Sequence, residues 1–294
     1  MDQLARDALL AQLHQQALLS AASRTERLRR LPVRLLLPRL LRAMGGTSRV
    51  TARTFFGLEM RVHLPDLVGS KLYQYGFFEE ALTRAVIEYL RPGNVFVDIG
   101  AHVGYYSMLA SLMVGAHGRV VAFEPTPRTR RELSSNTIDL GNVTIVPKAA
   151  WDEPARLTLR DFGWRQSSFN SVMAPRMSKA VSCEVIEVDA IAVDDWLEQH
   201  GIVPTFIKID AESAEHRVLR GLARTIEQHH PILSLEVGDY NLPDVPTSAE
   251  LVRSLLAQGY DALQYRDGRL EPHRLANAYG YDNLLFMPSG QRPP

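Results

Sequence analysis

The chain has 294 residues, 46% of them hydrophobic and 22% charged, with 33 Lys and Arg balanced by 33 Asp and Glu. That length suits one large soluble α/β domain with an appendage, or two small domains, and zero net charge gives no electrostatic case for a nucleic-acid partner. A lone cysteine, Cys183 in the strand-like VSCEVIEVD, excludes an intrachain disulfide framework and a cysteine-rich zinc site, and it suits packing in a reducing, cytoplasmic setting.

Residues 1–48 read as a basic helical arm. No run there or elsewhere approaches the roughly 20 apolar residues of a membrane span, and the pattern of a secretory signal is missing. LARDALLAQLHQQALL spaces Leu4, Ala8, Leu9, Leu13 and Ala17 along one helical face. SRTERLRRLPVRLLLPRLLRAMGG then carries seven arginines against one acid, Glu26, and its prolines at 32 and 38 are expected to break any long helix. Leucines packed on the body, or on a second subunit in a homodimer, account for such an arm. Peripheral contact with an anionic membrane surface or an acidic partner is the alternative. Residues 49–75 form a hairpin and linker, with RVTARTFFGLEMRVHLPD alternating around a Gly-Leu turn.

Residues 76–290 read as one larger domain. FFEEALTRAVIEYL has helical spacing and ends at Pro92-Gly93. Apolar strands follow in VFVDIGA, RVVAFEP, VTIVPKAA, TFIKIDA and PILSLEVG, with helical patterns at 103–115, 127–139, 214–228 and 247–258. The alternation predicts a Rossmann-like, mostly parallel sheet covered on both faces. DALQY and DNLLFMP close the chain with no helix between them, so they are expected to pair antiparallel at one edge. The series breaks at 151–189, where ARLTLRDF and CEVIEVD flank the polar loop GWRQSSFNSVMAPRMSKA. Long insertions at strand ends often form sites, so Gln166, Ser167 and Ser168 are candidate substrate contacts.

NVFVDIGAHVGYYSMLA carries the first chemical signal. Open α/β sheets bind ligands beyond the carboxyl ends of their strands. A dinucleotide site wants Gly-x-Gly-x-x-Gly and a Walker loop ends in Gly-Lys-Ser/Thr; here the pattern is Asp98-x-Gly100-x-x-x-Gly104. S-adenosylmethionine has no phosphates and needs close backbone approach without an anion nest. Gly100, Ala101, Gly104 and Tyr105 are therefore read as its methionine-side wall, with Asp98 on its ammonium group. Glu124 ends the next strand where an acid would accept both ribose hydroxyls. Asp152 would take the adenine amino group and Trp151 would pack on the ring.

FVDIGAHVGYYSMLA, VVAFEPTPRTRRELSSN and FIKIDAESAEHRVLRGL followed by PILSLEV together resemble the FkbM-type methyltransferases, a branch of the class I S-adenosylmethionine-dependent enzymes. The resemblance spans roughly residues 72–240. It implies a seven-stranded sheet and methyl transfer, usually to a hydroxyl of a sugar, glycan or polyketide. It also matches Gly76, Phe78 and Glu79 ahead of the first strand, and so implies that Glu79 faces the cofactor. Two departures stand out: His102 where asparagine is frequent, and Ser213 where the pattern has glycine.

KIDAESAEHRVL supplies a second set of acids. Methyl transfer to a hydroxyl is an in-line displacement in which a proton must leave the oxygen, and one carboxylate crowded by another makes a better base near neutrality. Asp210 and Glu212 are the leading bases and His216 a third candidate, while Glu215 and Glu236 are grouped on the acceptor side. Glu215 also suits a helix-start cap. Lys208 shares a strand side with Asp210 and is expected to pair with it. Three carboxylates could hold a divalent ion; proton removal by a carboxylate is preferred and no metal ligand is assigned. Competing readings are a non-enzymatic scaffold that retains the fold, a nicotinamide enzyme disfavoured by the missing third glycine, and transfer to nitrogen or carboxylate.

Overall fold

Strand parity organises the molecule. The computed structural model describes residues 2–173, 182–239, 245–266 and 268–290. In chain order these form α1 (Gln3–Ala21), α2 (Arg24–Arg30), α3 (Pro32–Met44), β1 (Ser48–Arg53), β2 (Glu59–Leu64), α4 (Leu67–Tyr75), α5 (Glu80–Tyr89), β3 (Val95–Ile99), α6 (Tyr105–Val114), β4 (Arg119–Phe123), α7 (Pro127–Thr137) and β5 (Val143–Val146). They continue as β6 (Ala149–Trp151), β7 (Ala155–Asp161), β8 (Glu184–Ala192), α8 (Val193–Gln199), β9 (Phe206–Ile209), α9 (Glu215–Arg220), α10 (Ala223–His229), β10 (Ile232–Val237), α11 (Ser248–Ala257), β11 (Tyr260–Arg266), β12 (Arg269–Pro272) and β13 (Asp282–Pro288).

The main sheet runs β12-β11-β13-β10-β9-β3-β4-β5. From β10 to β5 neighbouring strands are parallel, whereas β13, β11 and β12 pair antiparallel. Alternate residues feed two cores. Phe96, Val120 and Phe206 pack with α5, α6 and the N-terminal helices, while Val97, Ile99, Val121, Ile207 and Leu235 pack with α8, α9, α10 and α11. A fully buried side chain of this kind contributes about 1.5–3 kcal/mol, so the doubly covered strands fix the register. The same parity points Asp98, Lys208, Ser234 and Glu236 toward the α6 side, where apolar residues would otherwise be expected.

Several expectations need correction. The sheet has eight strands rather than seven, because the chain turns back after β11, with Gly268 at φ +74°, and adds β12 in antiparallel register from Arg266↔Arg269. Pro38 does not end a helix: it lies inside α3, buried together with Leu35, and this anchorage carries the helix through to Gly45 at φ +72°. The helical pattern at 214–228 is two helices. A Cβ on Gly221 would overlap the Trp151 backbone oxygen, so the chain bends where the second sheet presses on it. That second sheet has the order β6-β8-β7 and contains the two strands of the insertion, paired from Ala155↔Ala190 to Asp161↔Glu184. Part of the loop between them, 174–181, lies outside the described residues. The arm joins the body: Leu13 and Leu35 belong to the same cluster as Phe96 and Leu109.

Candidate active site

A cavity of about 370 Å³ opens beyond the carboxyl ends of β3, β4, β9 and β10. Among its lining residues are Gly100, Ala101, Tyr105, Glu124, Ser167, Ser168, Asp210, Glu212 and Glu236. These nine candidate residues converge there together with Phe78, His102 and Lys208, while Glu79, Asp98, Gly104, Trp151, Asp152, Gln166, Glu215 and His216 do not reach its wall.

Glu124, 5% exposed, is held by three donors. Its Oε2 accepts the His102 N–H at 2.9 Å, and its Oε1 accepts the Thr126 N–H at 2.9 Å and the Thr129 hydroxyl at 2.7 Å. The two backbone donors come from the loops after β3 and β4, so the carboxylate ties both strand ends to one point. Phe123, Ala149 and Ala150 add apolar wall beside it.

Gly100 has φ +73°, and a Cβ there would overlap the Asp210 backbone oxygen. Glycine is thus required by the neighbouring strand end. Gly104, at φ +95°, faces α7, where a Cβ would lie 2.6 Å from Leu133 Cδ1, so it serves helix packing rather than the cavity.

Asp98 is fully buried and does not line the cavity. It accepts the Ser107 hydroxyl at 2.7 Å and lies 3.3 Å from Lys208 Nζ, since β3 and β9 pair Asp98 with Lys208. Lys208 Nζ is also 3.3 Å from Asp210 and donates to the Ile99 and Gly100 carbonyls at 3.2 and 3.1 Å. Burial works against its charge, but Asp210, Asp98 and Glu79 outweigh it and raise its pKa. The ammonium also stands 5.4 Å from the Tyr106 ring.

Parallel pairing of Leu235 with Ile209 brings Glu236 beside Asp210. Oxygens of Asp210, Glu212 and Glu236 lie within 4.8 Å of one another, a set that can take a proton or hold a divalent cation. Glu215 is not the third member. Its Oε1 accepts the Ala211 and Ser213 N–H groups at 3.0 and 3.2 Å, closing the loop in which Glu212 and Ser213 take φ +49° and +81°. Ser213 therefore keeps the left-handed backbone that glycine would hold more readily.

Glu79 sits one layer behind the wall. Its carboxylate accepts the Tyr106 hydroxyl at 2.9 Å, Asn283 Nδ2 at 3.0 Å and the Tyr281 hydroxyl, and Tyr106 and Tyr281 are the residues that reach the cavity. Burial pushes its pKa up and the Asp210 charge adds to this, while the two tyrosine hydroxyls hold it back.

Trp151 and Asp152 lie off the cavity. β6 leaves the main sheet to pair with β8, and Asp152 is drawn to Arg217 at 2.8 Å and Arg220 at 3.5 Å, with Arg217 5.3 Å from the Trp151 ring. His216, on α9, is also outside the lining; burial and the Arg220 and Arg217 charges lower its pKa. Gln166 precedes the short helical turn that carries Ser167 and does not line the cavity.

Sequence reading missed the support of that turn. Buried Asp66 caps α4 through the Gly69 N–H at 3.1 Å, accepts the Ser167 hydroxyl at 3.3 Å and accepts the Ser168 N–H at 3.2 Å. His102 Nε2 meets Ser167 Oγ at 2.9 Å. The one available signal was Asp66 just ahead of a helical pattern, a start cap.

A sequence profile of the Methyltransferase FkbM domain matches residues 98–265, more than half of the chain. The 31-O-demethyl-FK506 methyltransferase FkbM of Streptomyces tacrolimicus is 27% identical over 179 residues, 51% of this chain and 67% of that protein. The ribosomal RNA large subunit methyltransferase E of Cellvibrio japonicus is 33% identical over 91 residues, 30% of this chain and 43% of that protein. Among solved structures, methyltransferase FkbM from Methylobacillus flagellatus aligns with a TM-score of 0.43 at 18% identity, over 70% of this chain and 50% of that one. The chain thus spans about half the length of these last two relatives.

Proposed function

We propose, since the chain belongs to the methyltransferase FkbM family, that it transfers the methyl group of S-adenosylmethionine to a hydroxyl oxygen of a sugar, glycan or polyketide-type acceptor, in a reducing compartment such as the cytoplasm. One arrangement carries the reading: Glu124 on one side and Asp210, Glu212 and Glu236 on the other face a single cavity. Its volume falls within the range of small-molecule sites.

The chain's residues fit that donor. The Glu124 carboxylate has about four lone-pair positions, and three protein donors leave capacity for a ribose hydroxyl. Phe123, Ala149 and Ala150 suit a flat apolar ring such as adenine. Lys208 pairs with Asp98 and Asp210, and Asp210 is grouped with Glu212 and Glu236, so among the described residues acids outnumber the lysine and this end of the cavity favours a cation. When bound, S-adenosylmethionine supplies an electrophilic methyl group on a positively charged sulfur.

Asp210 accepts the proton that leaves the acceptor oxygen, and the 3.3 Å pair with Lys208 holds its carboxylate in place. Glu212 stands beside it as a second acceptor. Ser167 and Ser168, fixed by Asp66, orient the acceptor, while Leu67, Val68 and Phe78 keep water from its apolar part. The acid trio repels an anionic acceptor, which favours a hydroxyl over a carboxylate. The Streptomyces relative is named for O-methylation, which points the same way.

Two measurements test the proposal in turn. Calorimetric titration with S-adenosylmethionine should give saturable binding, and absence of binding would sink the enzyme reading. Mass spectrometry across a panel of glycans and polyketides should then find products that gain one methyl on oxygen; gain only on amines or carboxylates would sink the acceptor class.

A further inference from the structure

The N-terminal helices take no part in this site, and α3 carries more apolar surface than its packing on the body requires. Leu35 and Pro38 are buried, yet Val33, Leu36, Leu40 and Met44 are 66%, 53%, 55% and 73% exposed. At about 100° per residue the four exposed side chains fall within an arc of about 80°, nearly opposite the buried pair. Arg34 and Arg39 flank this stripe on either side, each about 110° from its centre. Arg24, Arg29 and Arg30 of α2 are also exposed. The one acid of the segment, Glu26, is engaged by Arg30 at 2.8 Å.

A second observation agrees in sign. Beside Arg34 a cavity of about 530 Å³ opens between α1, α3 and the turn after β1, lined by Arg53, Gln12, Gln15 and Gln16 and by no acidic side chain. A solvated basic face would explain the arginines but not the outward apolar stripe. A core-facing helix would explain the leucines but not their direction. An anionic bilayer accepts both, with apolar side chains at the acyl boundary and arginines reaching back to the headgroups.

We propose that α2 and α3 dock the protein in the plane of an anionic membrane surface, with Val33, Leu36, Leu40 and Met44 inserted and the flanking arginines on lipid headgroups. No helix among the described residues is long and apolar enough to cross a membrane, so this contact is peripheral. The docking helix is tied to the cavity wall. Arg42 Nη2 donates to the Pro65 carbonyl at 3.0 Å, two residues before the half-exposed cavity residue Leu67, and Arg165 Nη2 donates to the Arg42 carbonyl at 3.3 Å, two residues before Ser167. Docking therefore holds the cavity at a fixed offset from the lipid. The inference stands whether or not the chain is a methyltransferase.

Vesicle flotation of the full chain tests it. The protein should float with phosphatidylcholine vesicles that contain phosphatidylglycerol and stay behind with phosphatidylcholine alone. Leu36→Glu with Leu40→Glu should abolish flotation; both positions are exposed, and an unchanged unfolding curve will show that the variant folds. Arg29→Gln and Arg39→Gln should each weaken binding about fivefold, and salt should weaken it further. Failure of the wild type to float with either vesicle overturns the proposal, as does undiminished flotation of the leucine variant. A concentration-dependent dimer that ignores vesicles and dissociates in that variant would assign the stripe to a second copy, and also overturns it.

Discussion

Replacing Glu124 with glutamine separates the charge of this side chain from its shape. Oε1 accepts two protein donors and Oε2 accepts the His102 N–H. A glutamine can turn its oxygen to Thr126 and Thr129, but its NH2 group then faces the His102 N–H, donor against donor. Losing that bond and leaving a part-buried N–H without an acceptor costs about 1–3 kcal/mol of stability. A hydroxyl of the donor's ribose would in addition lose a charged acceptor, worth about 1.5–3 kcal/mol, or about ten- to hundred-fold in affinity. Urea unfolding followed by fluorescence measures the first quantity, and calorimetry with S-adenosylmethionine on the folded variant measures the second. An unchanged Kd with lowered stability would refute the assignment of Glu124 to the ligand and leave it a strand tie.

Three further outcomes follow from the same geometry. Gly100→Ala should destabilise the fold by about 2–4 kcal/mol in denaturant unfolding, because the new Cβ meets the Asp210 carbonyl and φ is left-handed; normal stability with lost cofactor binding would reverse that view. Asp210→Asn should lower kcat by about 10²- to 10⁴-fold with a far smaller change in cofactor affinity, and chelation by EDTA should leave wild-type turnover unchanged. Magnesium-dependent recovery after EDTA would instead make Asp210, Glu212 and Glu236 metal ligands. Glu79 has its folded pKa raised by burial and by Asp210, so its stabilising contribution is complete below the ordinary glutamate pKa and is lost as pH rises through the folded value. Glu79→Gln should flatten that decline between acid and neutral pH in unfolding experiments, and an unaltered pH profile would contradict the assignment.

What the sequence reveals here follows the range of the interactions involved. β3 and β4 are short apolar runs punctuated by Gly100 and Pro125, so both strands and the acid ending the second can be read locally. Asp210 and Glu236 share a site because β9 and β10 are parallel neighbours, which the strand–helix alternation already suggests. Trp151 and Asp152 could not be read in this way. Their position depends on pairing with residues 190–192, some forty positions later, and on Arg217 beyond that. Gly100 falls in the right place but answers first to a different neighbour, the Asp210 carbonyl. Asp66 and Tyr281 reach the cavity region from outside the motif-bearing strands; the chain around Asp66 signals only a helix cap, and that around Tyr281 carries no trace of the cavity.

The contact of Gly100 with the Asp210 carbonyl also bears on how such a site can change over time. The two loops touch backbone to backbone, and the Asp210 N–H donates to the Ile99 carbonyl at 3.3 Å. They form one block in which, on the proposed methyl transfer, the donor wall and the base keep a constant offset. Ser167 and Ser168, by contrast, ride on a separate insertion fastened through Asp66 and His102. On that proposal, exchange of the insertion would change the acceptor while the alignment of base and donor is inherited intact.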